Sequence, residues 1–221
     1  MWFCMNYRDY KTLAAGGVYH FFNRGVNKED IFTCPEDYIL FLRRFKEQVL
    51  SQPLPVARRN SYRRKILPPG LFEIYAYCLM PNHFHFLIKQ VTEVPVSDLF
   101  RRVMTGYSKV FNAKHDRVGA LFQDQYKAVA IETDAQLQWV SAYIHQNPLA
   151  AGLTDDLDKW AWSSYLEYAG KRSGTLVNSR LILGLPTVAN SKSRYTQFVL
   201  RASELTREYK DIKHLLLDGD V

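Results

Sequence analysis

Apolar and polar positions along the N-terminal part of the chain predict a regular succession of strands and helices. A partly alternating aromatic run from Val18 to Gly25 predicts a first strand. Residues 35–52 place apolar side chains at helical spacing, with acidic side chains in the first turn, and predict a helix. The proline-containing stretch 53–70 predicts a loop. Two further apolar runs, Phe72–Met80 and His83–Gln90, are separated by Pro-Asn and predict a hairpin.

The pattern continues with a helix, a strand and a further helix. Residues 96–115 have helical spacing, and residues 126–132 have the pattern of a short strand. Either Thr133 or Asp134 is a suitable N-cap for the third helix, because its side chain can accept a hydrogen bond from the first turn.

We expect this third helix to run to about Gln146, because Pro148 disfavours helical geometry in the residue before it. The order strand, helix, strand, strand, helix, strand, with one more helix, is the βαββαβ pattern of an α+β fold. The chain is therefore predicted to form a ferredoxin-like (RRM-like) antiparallel sheet with helices on one face. The periodicity weakens after Leu153, which predicts a domain over residues 1–154 and a C-terminal tail of short helices over residues 155–221.

Composition narrows the classes of function. A chain of 221 residues with 47% hydrophobic and 14% aromatic residues has enough apolar surface for a sizeable core. The net charge of +7 and isoelectric point near 9.2 favour a polyanionic partner, although a solvated basic surface has the same composition. Three cysteines without a Cys-x-x-Cys pair indicate neither a zinc ribbon nor a disulfide framework. The odd cysteine count and the lack of a signal-peptide pattern or long apolar run predict a cytoplasmic protein without a membrane span.

Two histidines one residue apart stand in the apolar run MPNHFHFLIKQ. In a strand, residues i and i+2 lie on the same face, so His83 and His85 would share one face and the phenylalanines the other. Two imidazoles at that spacing can bind one cation, and they can equally be histidines that are merely hydrogen-bonded on a sheet surface. The other histidines show no clustering along the chain, and they are His20, His115, His145 and His214.

The third helix carries a second candidate pair. Tyr143 and Asn147 are four residues apart, so they share a helix face near its C-terminal end. An amide oxygen is a plausible ligand for a hard cation. The alternative is that Tyr143 packs in the core and Asn147 ends the helix before Pro148.

Together these residues resemble a known family. His83-Phe84-His85 resembles the histidine–hydrophobic–histidine signature of the HUH endonucleases. The stretch from Tyr143 to Leu153, followed by Trp160-Ala-Trp-Ser-Ser-Tyr165, is similar to a block of the single-tyrosine transposases. The branch it resembles is that of the REP-associated tyrosine transposases (RAYT), which act on repetitive extragenic palindromes. Further blocks resemble this branch in the same order, and they are Tyr19–Gly25, Tyr107–Asn112, Gly119–Gln123 and Ser193–Val199.

The resemblance implies a mechanism and names its residues. It implies that His83, His85 and Asn147 hold one divalent cation, Mg²⁺ or Mn²⁺, and that Tyr143 attacks the scissile phosphate. The product would be a 5′-phosphotyrosine and a free 3′-OH, and a second 3′-OH can reverse the step. Tyr107, which has basic residues nearby, is the other tyrosine to weigh. Only Tyr143 has a candidate amide ligand one turn away and matches the family position.

The resemblance also implies the partner, single-stranded DNA with a hairpin, handled by a monomer or a homodimer that associates with the nucleoid when bound. Basic side chains in the 53–70 loop and on the second helix are candidate phosphate contacts, although any one of them can simply be solvated. These candidates are Arg58, Arg59, Arg63, Arg64, Lys65, Arg101, Arg102, Lys109 and Lys114.

Three alternatives stay open from the residues alone. A ferredoxin-like sheet with a basic surface can be a non-catalytic module that binds RNA or DNA without metal. The same ligands can serve a metal-dependent nuclease in which water is the nucleophile, and cleavage would then survive Tyr143→Phe. The chain can also be a domesticated regulator that retains the site and rarely turns over.

Overall fold

The structure is a computed structural model that describes residues 13–50 and 66–206, excluding the side chains of the last four. Its strands are β1 (Val18–Arg24), β2 (Phe72–Met80), β3 (His83–Gln90) and β4 (Lys127–Ile131). Its helices are α1 (Pro35–Val49), α2 (Val96–Lys114), α3 (Asp134–Ala150), α4 (Tyr165–Tyr168), α5 (Arg180–Leu183) and α6 (Lys192–Thr206). The predicted order of elements is confirmed.

The four strands form one antiparallel sheet in the order β2-β3-β1-β4. This order places β1 and β3, which are distant along the chain, side by side at the centre of the sheet. Their register pairs Phe22 with His85 and Arg24 with His83. The ferredoxin-like α+β fold predicted from the pattern is confirmed.

The sheet is covered on both faces. The first core lies between the sheet and the helices α1 and α2, and is built from aromatic side chains such as Phe41, Phe86 and Phe100. The second core lies on the opposite face, where Val140 and Ile144 of α3 pack against the sheet. The prediction that the helices cover one face of the sheet is therefore correct for α1 and α2, and it is wrong for α3, which covers the other face. Strand β2 is buried along nearly its whole length, so both of its sides need an apolar cover.

The tail after residue 154 runs along the free edge of β2. The backbone N–H of Leu79 donates to the carbonyl of Trp162 at 2.9 Å, and Ser164 donates to the carbonyl of Tyr77 at 2.9 Å. Further along, α6 packs on α3 and contributes Tyr195 to the second core. The tail therefore prevents the edge strand β2 from pairing with a strand of another chain, and it shares the second core with α3.

Helix α3 extends past the predicted stop. Pro148 lies inside the helix, which ends at Ala150. The prediction of an end near Gln146 was wrong because a proline this close to a C-terminus removes only one N–H and the turn still closes. The N–H of Ala151 bonds the carbonyl of Asn147, and Gly152 follows with a φ of +68°, which suits the residue after a helix.

A buried polar network ties α3 to the tail. His145 contacts the hydroxyl of Tyr195 at 2.7 Å through Nδ1 and the hydroxyl of Ser164 at 2.7 Å through Nε2. The Tyr195 hydroxyl also bonds Ser141 at 3.1 Å. Burial lowers the pKa of His145 to about 3, so the ring stays neutral and both of its nitrogens are used within the core.

No helix in the described part of the chain is both long enough and apolar enough to span a membrane.

Candidate active site

His83 and His85 project from β3 toward α3. His85 is fully buried, His83 is half-buried, and their ring centroids are 5.0 Å apart. The phenylalanines between and after them, Phe84 and Phe86, point into the first core. The two-residue repeat thus places the imidazoles on one face, as predicted, and that face is the one covered by α3.

The hairpin turn orients the first imidazole. Nδ1 of His83 lies 2.6 Å from the side-chain oxygen of Asn82, which can only accept a hydrogen bond. The proton of neutral His83 is therefore on Nδ1. The lone pair is left on Nε2, where a cation could be bound.

The expectation that the other histidines stand apart is wrong for His20. This residue lies on β1, is fully buried, and places its Nε2 at 2.9 Å from Nδ1 of His85. The two rings are 5.1 Å apart and nearly parallel. The sequence signal that could have found it is the sheet order, because a ferredoxin-like fold places β1 next to β3.

Both candidate ligand imidazoles are held neutral. Burial, and then the positive charge of Arg24, lowers the pKa of His83 to about 4. Burial, followed by the neighbouring histidines, lowers the pKa of His85 well below its usual value. Neutral imidazole is the form that binds metal ions, so neither residue has to lose a proton near neutral pH.

One nitrogen of this cluster is left without a partner. Nε2 of His85 is buried and has no hydrogen bond to any described residue. A buried polar atom in that state costs free energy, and such atoms in native structures call for an explanation such as a bound ion. Within residues 13–50 and 66–206, no three His, Cys, Asp or Glu side chains form a metal-binding group, so a site here would need the amide of Asn147.

Helix α3 brings the tyrosine and the amide to this face. The ring of Tyr143 lies edge-on to His85 at 5.6 Å and to His20 at 6.1 Å. Asn147 donates from Nδ2 to the carbonyl of Tyr143 at 2.9 Å, and its side chain lies within hydrogen-bonding reach of His83. The helix begins at a capping box between Thr133 and Gln136. Two neutral imidazoles and an amide oxygen are donors that could together hold a divalent cation.

Tyr107 lies away from this cluster. It is fully buried in the first core, on the opposite face of the sheet, and its hydroxyl donates to the carbonyl of Ile31. Burial raises its pKa far above that of a free phenol. Of the two tyrosines that the sequence offered, only Tyr143 lies beside the histidines.

Helix α2 covers the face of the sheet opposite His83 and His85, so its basic side chains lie away from these histidines. Arg101, Arg102 and Lys109 line a cleft of about 370 Å³ between α2 and α1, which also contains Arg44. The other five predicted contacts lie outside the described residues, and they are Arg58, Arg59, Arg63, Arg64 and Lys65.

Lys114 serves a structural contact between the two helices. Its ammonium lies 2.9 Å from Asp37, which joins the end of α2 to the start of α1. Burial alone would raise the pKa of Asp37, but hydrogen bonds from Lys114 and Thr33 lower it to about 2. Because its ammonium already pairs with Asp37, Lys114 is the least suitable of the predicted phosphate contacts on α2.

Arg24 is a basic residue near the cluster that the sequence did not single out. It pairs across the sheet with His83, and its Nε donates to Gln123 at 3.1 Å. A guanidinium at this position could meet a phosphate oxygen presented to Tyr143.

Comparisons with known proteins found one matching family and a similar solved structure. The family described as "Transposase IS200 like" matches residues 38–147, which include both histidines, Tyr143 and Asn147. The chain is similar in structure to a REP-associated tyrosine transposase solved bound to a REP hairpin. The TM-score is 0.54 at 16% sequence identity, with 75% of this chain and 90% of the other covered. No curated protein sequence matches this chain.

Proposed function

Because the chain belongs to the IS200-like transposase family, we propose that it cleaves and rejoins single-stranded DNA beside a hairpin through a covalent 5′-phosphotyrosine. The observation that carries the proposal is the convergence of Tyr143, His83, His85 and Asn147 on one face of one sheet. A nucleophile beside a ready set of neutral metal ligands is what phosphoryl transfer needs.

In this reaction the oxygen of Tyr143 attacks phosphorus and forms a P–O bond while the bond to the 3′ oxygen of the DNA breaks. The departing oxygen takes up a proton and becomes a free 3′-OH. A phenol with an ordinary pKa near 10 is a weak nucleophile, so its proton must be removed during the attack. His83, His85 and Asn147 would hold the divalent cation, Mg²⁺ or Mn²⁺, which stabilises the charge that develops on the phosphate.

The tyrosyl phosphodiester retains the energy of the broken bond. Attack by another 3′-OH on the same phosphorus releases Tyr143 and joins two strands, so the chain needs no nucleotide cofactor. The enzyme is thus proposed to be a strand transferase as well as an endonuclease. All four proposed residues come from one chain, which supports a site that either a monomer or each subunit of a homodimer could complete.

We propose hairpin DNA of the REP type as the substrate, with the enzyme acting in the cytoplasm and joining the nucleoid when bound. The structural neighbour was solved with such a hairpin, and the net charge of +7 favours a phosphate backbone. The cleft between α1 and α2 and the basic loop 53–70 are the proposed contacts away from the histidines. The C-terminal end of that loop is close to the cleft, because the N–H of Leu67 donates at 3.3 Å to the side chain of Gln48, which lines the cleft.

The double variant Arg102→Gln/Lys109→Gln is expected to weaken hairpin binding and to lower the salt dependence of log Kd by about two. Fluorescence anisotropy over a salt series measures both quantities. The matched control is Lys159→Gln/Lys171→Gln, which removes two exposed lysines that pair with aspartates in the tail. Equal affinity and equal salt slope for the two double variants would remove the cleft from the DNA-binding surface.

The experiment that tests the proposed function is covalent trapping. The protein is mixed with labelled single-stranded DNA carrying the palindromes that flank its own gene, with Mn²⁺ or with chelator, and run on a denaturing gel. We expect a labelled protein band that disappears with chelator and in His83→Ala. Cut DNA without a protein band would instead support a water nucleophile, and tight binding without cutting would support a binding module.

A further inference from the structure

His20 has no role in the chemistry described so far, although it lies at the centre of the site. It is fully buried at the middle of β1, where an apolar side chain would cost less to bury. Its neighbours on the strand, Tyr19 and Phe21, face the first core. His20 therefore points to the face that holds His85 and Tyr143.

The hydrogen bond between His20 and His85 requires a proton on one of the two facing nitrogens and a lone pair on the other. The two nitrogens, Nε2 of His20 and Nδ1 of His85, are 2.9 Å apart, so one must donate and the other accept. If His20 donates, neutral His85 carries its proton on Nε2 and cannot bind a cation there. If His85 donates from Nδ1, its Nε2 presents a lone pair at the buried position that has no partner.

We propose that His20 is a positioning residue that accepts the Nδ1 proton of His85 and thereby keeps Nε2 of His85 open as a metal ligand. A free imidazole side chain favours the proton on Nε2, so the ligating tautomer needs an acceptor at Nδ1. In metal sites that acceptor is usually a carboxylate or a backbone carbonyl. Here a neutral imidazole does the same task. This inference rests on the metal site of the proposed function.

The choice of a neutral acceptor suits a phosphodiester substrate. A carboxylate at this position would add a negative charge beside the phosphate and reduce its attraction to the site. The ring of His20 also lies 6.1 Å from the ring of Tyr143, edge to face. One side chain on β1 therefore contacts both the ligand on β3 and the nucleophile on α3.

The test reads the tautomer directly. In ¹⁵N-histidine-labelled, metal-free protein near neutral pH, the ¹⁵N resonances of His85 are expected to show a protonated Nδ1 and an unprotonated Nε2. In His20→Phe, which keeps an aromatic ring and removes the acceptor, the proton should move to Nε2. In His20→Gln, whose side-chain oxygen can accept at the same distance, the wild-type tautomer should return.

Mn²⁺ binding without DNA, followed by electron paramagnetic resonance, gives the second readout. Affinity is expected to fall about 10- to 100-fold in His20→Phe and to recover in His20→Gln. The matched control is Phe22→Leu, the next residue on the same face, whose ring packs on His20 at 5.0 Å. This variant disturbs packing without removing the acceptor, so it should keep the wild-type tautomer and affinity.

Two results would overturn the inference. One is a proton on Nε2 of His85 in the wild-type protein, which can be read even if His20→Phe does not fold. The other is a folded His20→Phe that binds Mn²⁺ as tightly as the wild type. A wild-type protein that binds Mn²⁺ with the expected tautomer and still forms no DNA adduct would contradict the proposed function and leave the role of His20 standing.

Discussion

Tyr143→Phe is expected to abolish the covalent protein–DNA adduct and to reduce cleavage by at least about a thousandfold, because it removes the attacking oxygen. The ring itself is retained, so its edge contacts with His20 and His85 should persist and the fold should be unaffected. Mn²⁺ affinity and hairpin affinity are expected to remain at the wild-type level. The measurements are trapping on a denaturing gel, single-turnover cleavage, and Mn²⁺ and DNA titrations.

Tyr107→Phe is the matched control for this variant. It also removes one phenolic oxygen, but from the first core, where that oxygen donates to the carbonyl of Ile31. Losing the donor leaves a buried carbonyl unsatisfied and should cost about 1–3 kcal/mol of stability. The adduct should form as in the wild type. If Tyr107→Phe lost the adduct and Tyr143→Phe kept it, the assignment of the nucleophile would be wrong.

Tyr195→Ala is expected to lower the free energy of unfolding by about 3–5 kcal/mol, the usual cost of removing a large buried aromatic side chain. Tyr195 is fully buried, stacks on Tyr168 at 4.5 Å, and holds Nδ1 of His145. Its loss therefore opens a cavity in the second core and leaves the buried Nδ1 of His145 without its hydrogen-bond partner. Urea denaturation followed by circular dichroism measures the change.

The control for this prediction lies on the same helix. Leu200 is 53% exposed, so Leu200→Ala should change stability by less than about 0.5 kcal/mol. Tyr143 and Asn147 lie on the side of α3 away from this network, so their positions depend on α3 remaining folded. Tyr195→Ala should therefore also reduce adduct formation when the protein is only partly folded. Equal denaturation midpoints for the two variants would mean that α6 does not stabilise the domain that carries α3.

Much of the fold and part of the site could be predicted because they depend on short-range periodicity. The side chains of His83 and His85 share a face since a strand repeats every two residues, and Tyr143 and Asn147 share a face since a helix repeats every three to four. The helix end was mispredicted at Pro148 because the tolerance of a last turn for proline depends on the hydrogen bonds around it.

By itself the sequence determined the order of elements and the ferredoxin-like sheet, and its resemblance to a known family named the candidate site residues. Only the tertiary structure decided which of these residues meet. It brought His20 to His85 across two strands that are far apart in the chain, and it separated Tyr107 from the histidines by the thickness of the sheet. It also packed the tail against α3 to form a second core. Such contacts depend on strand order and on which face each helix covers, and these are properties of the whole fold that no local pattern of residues encodes.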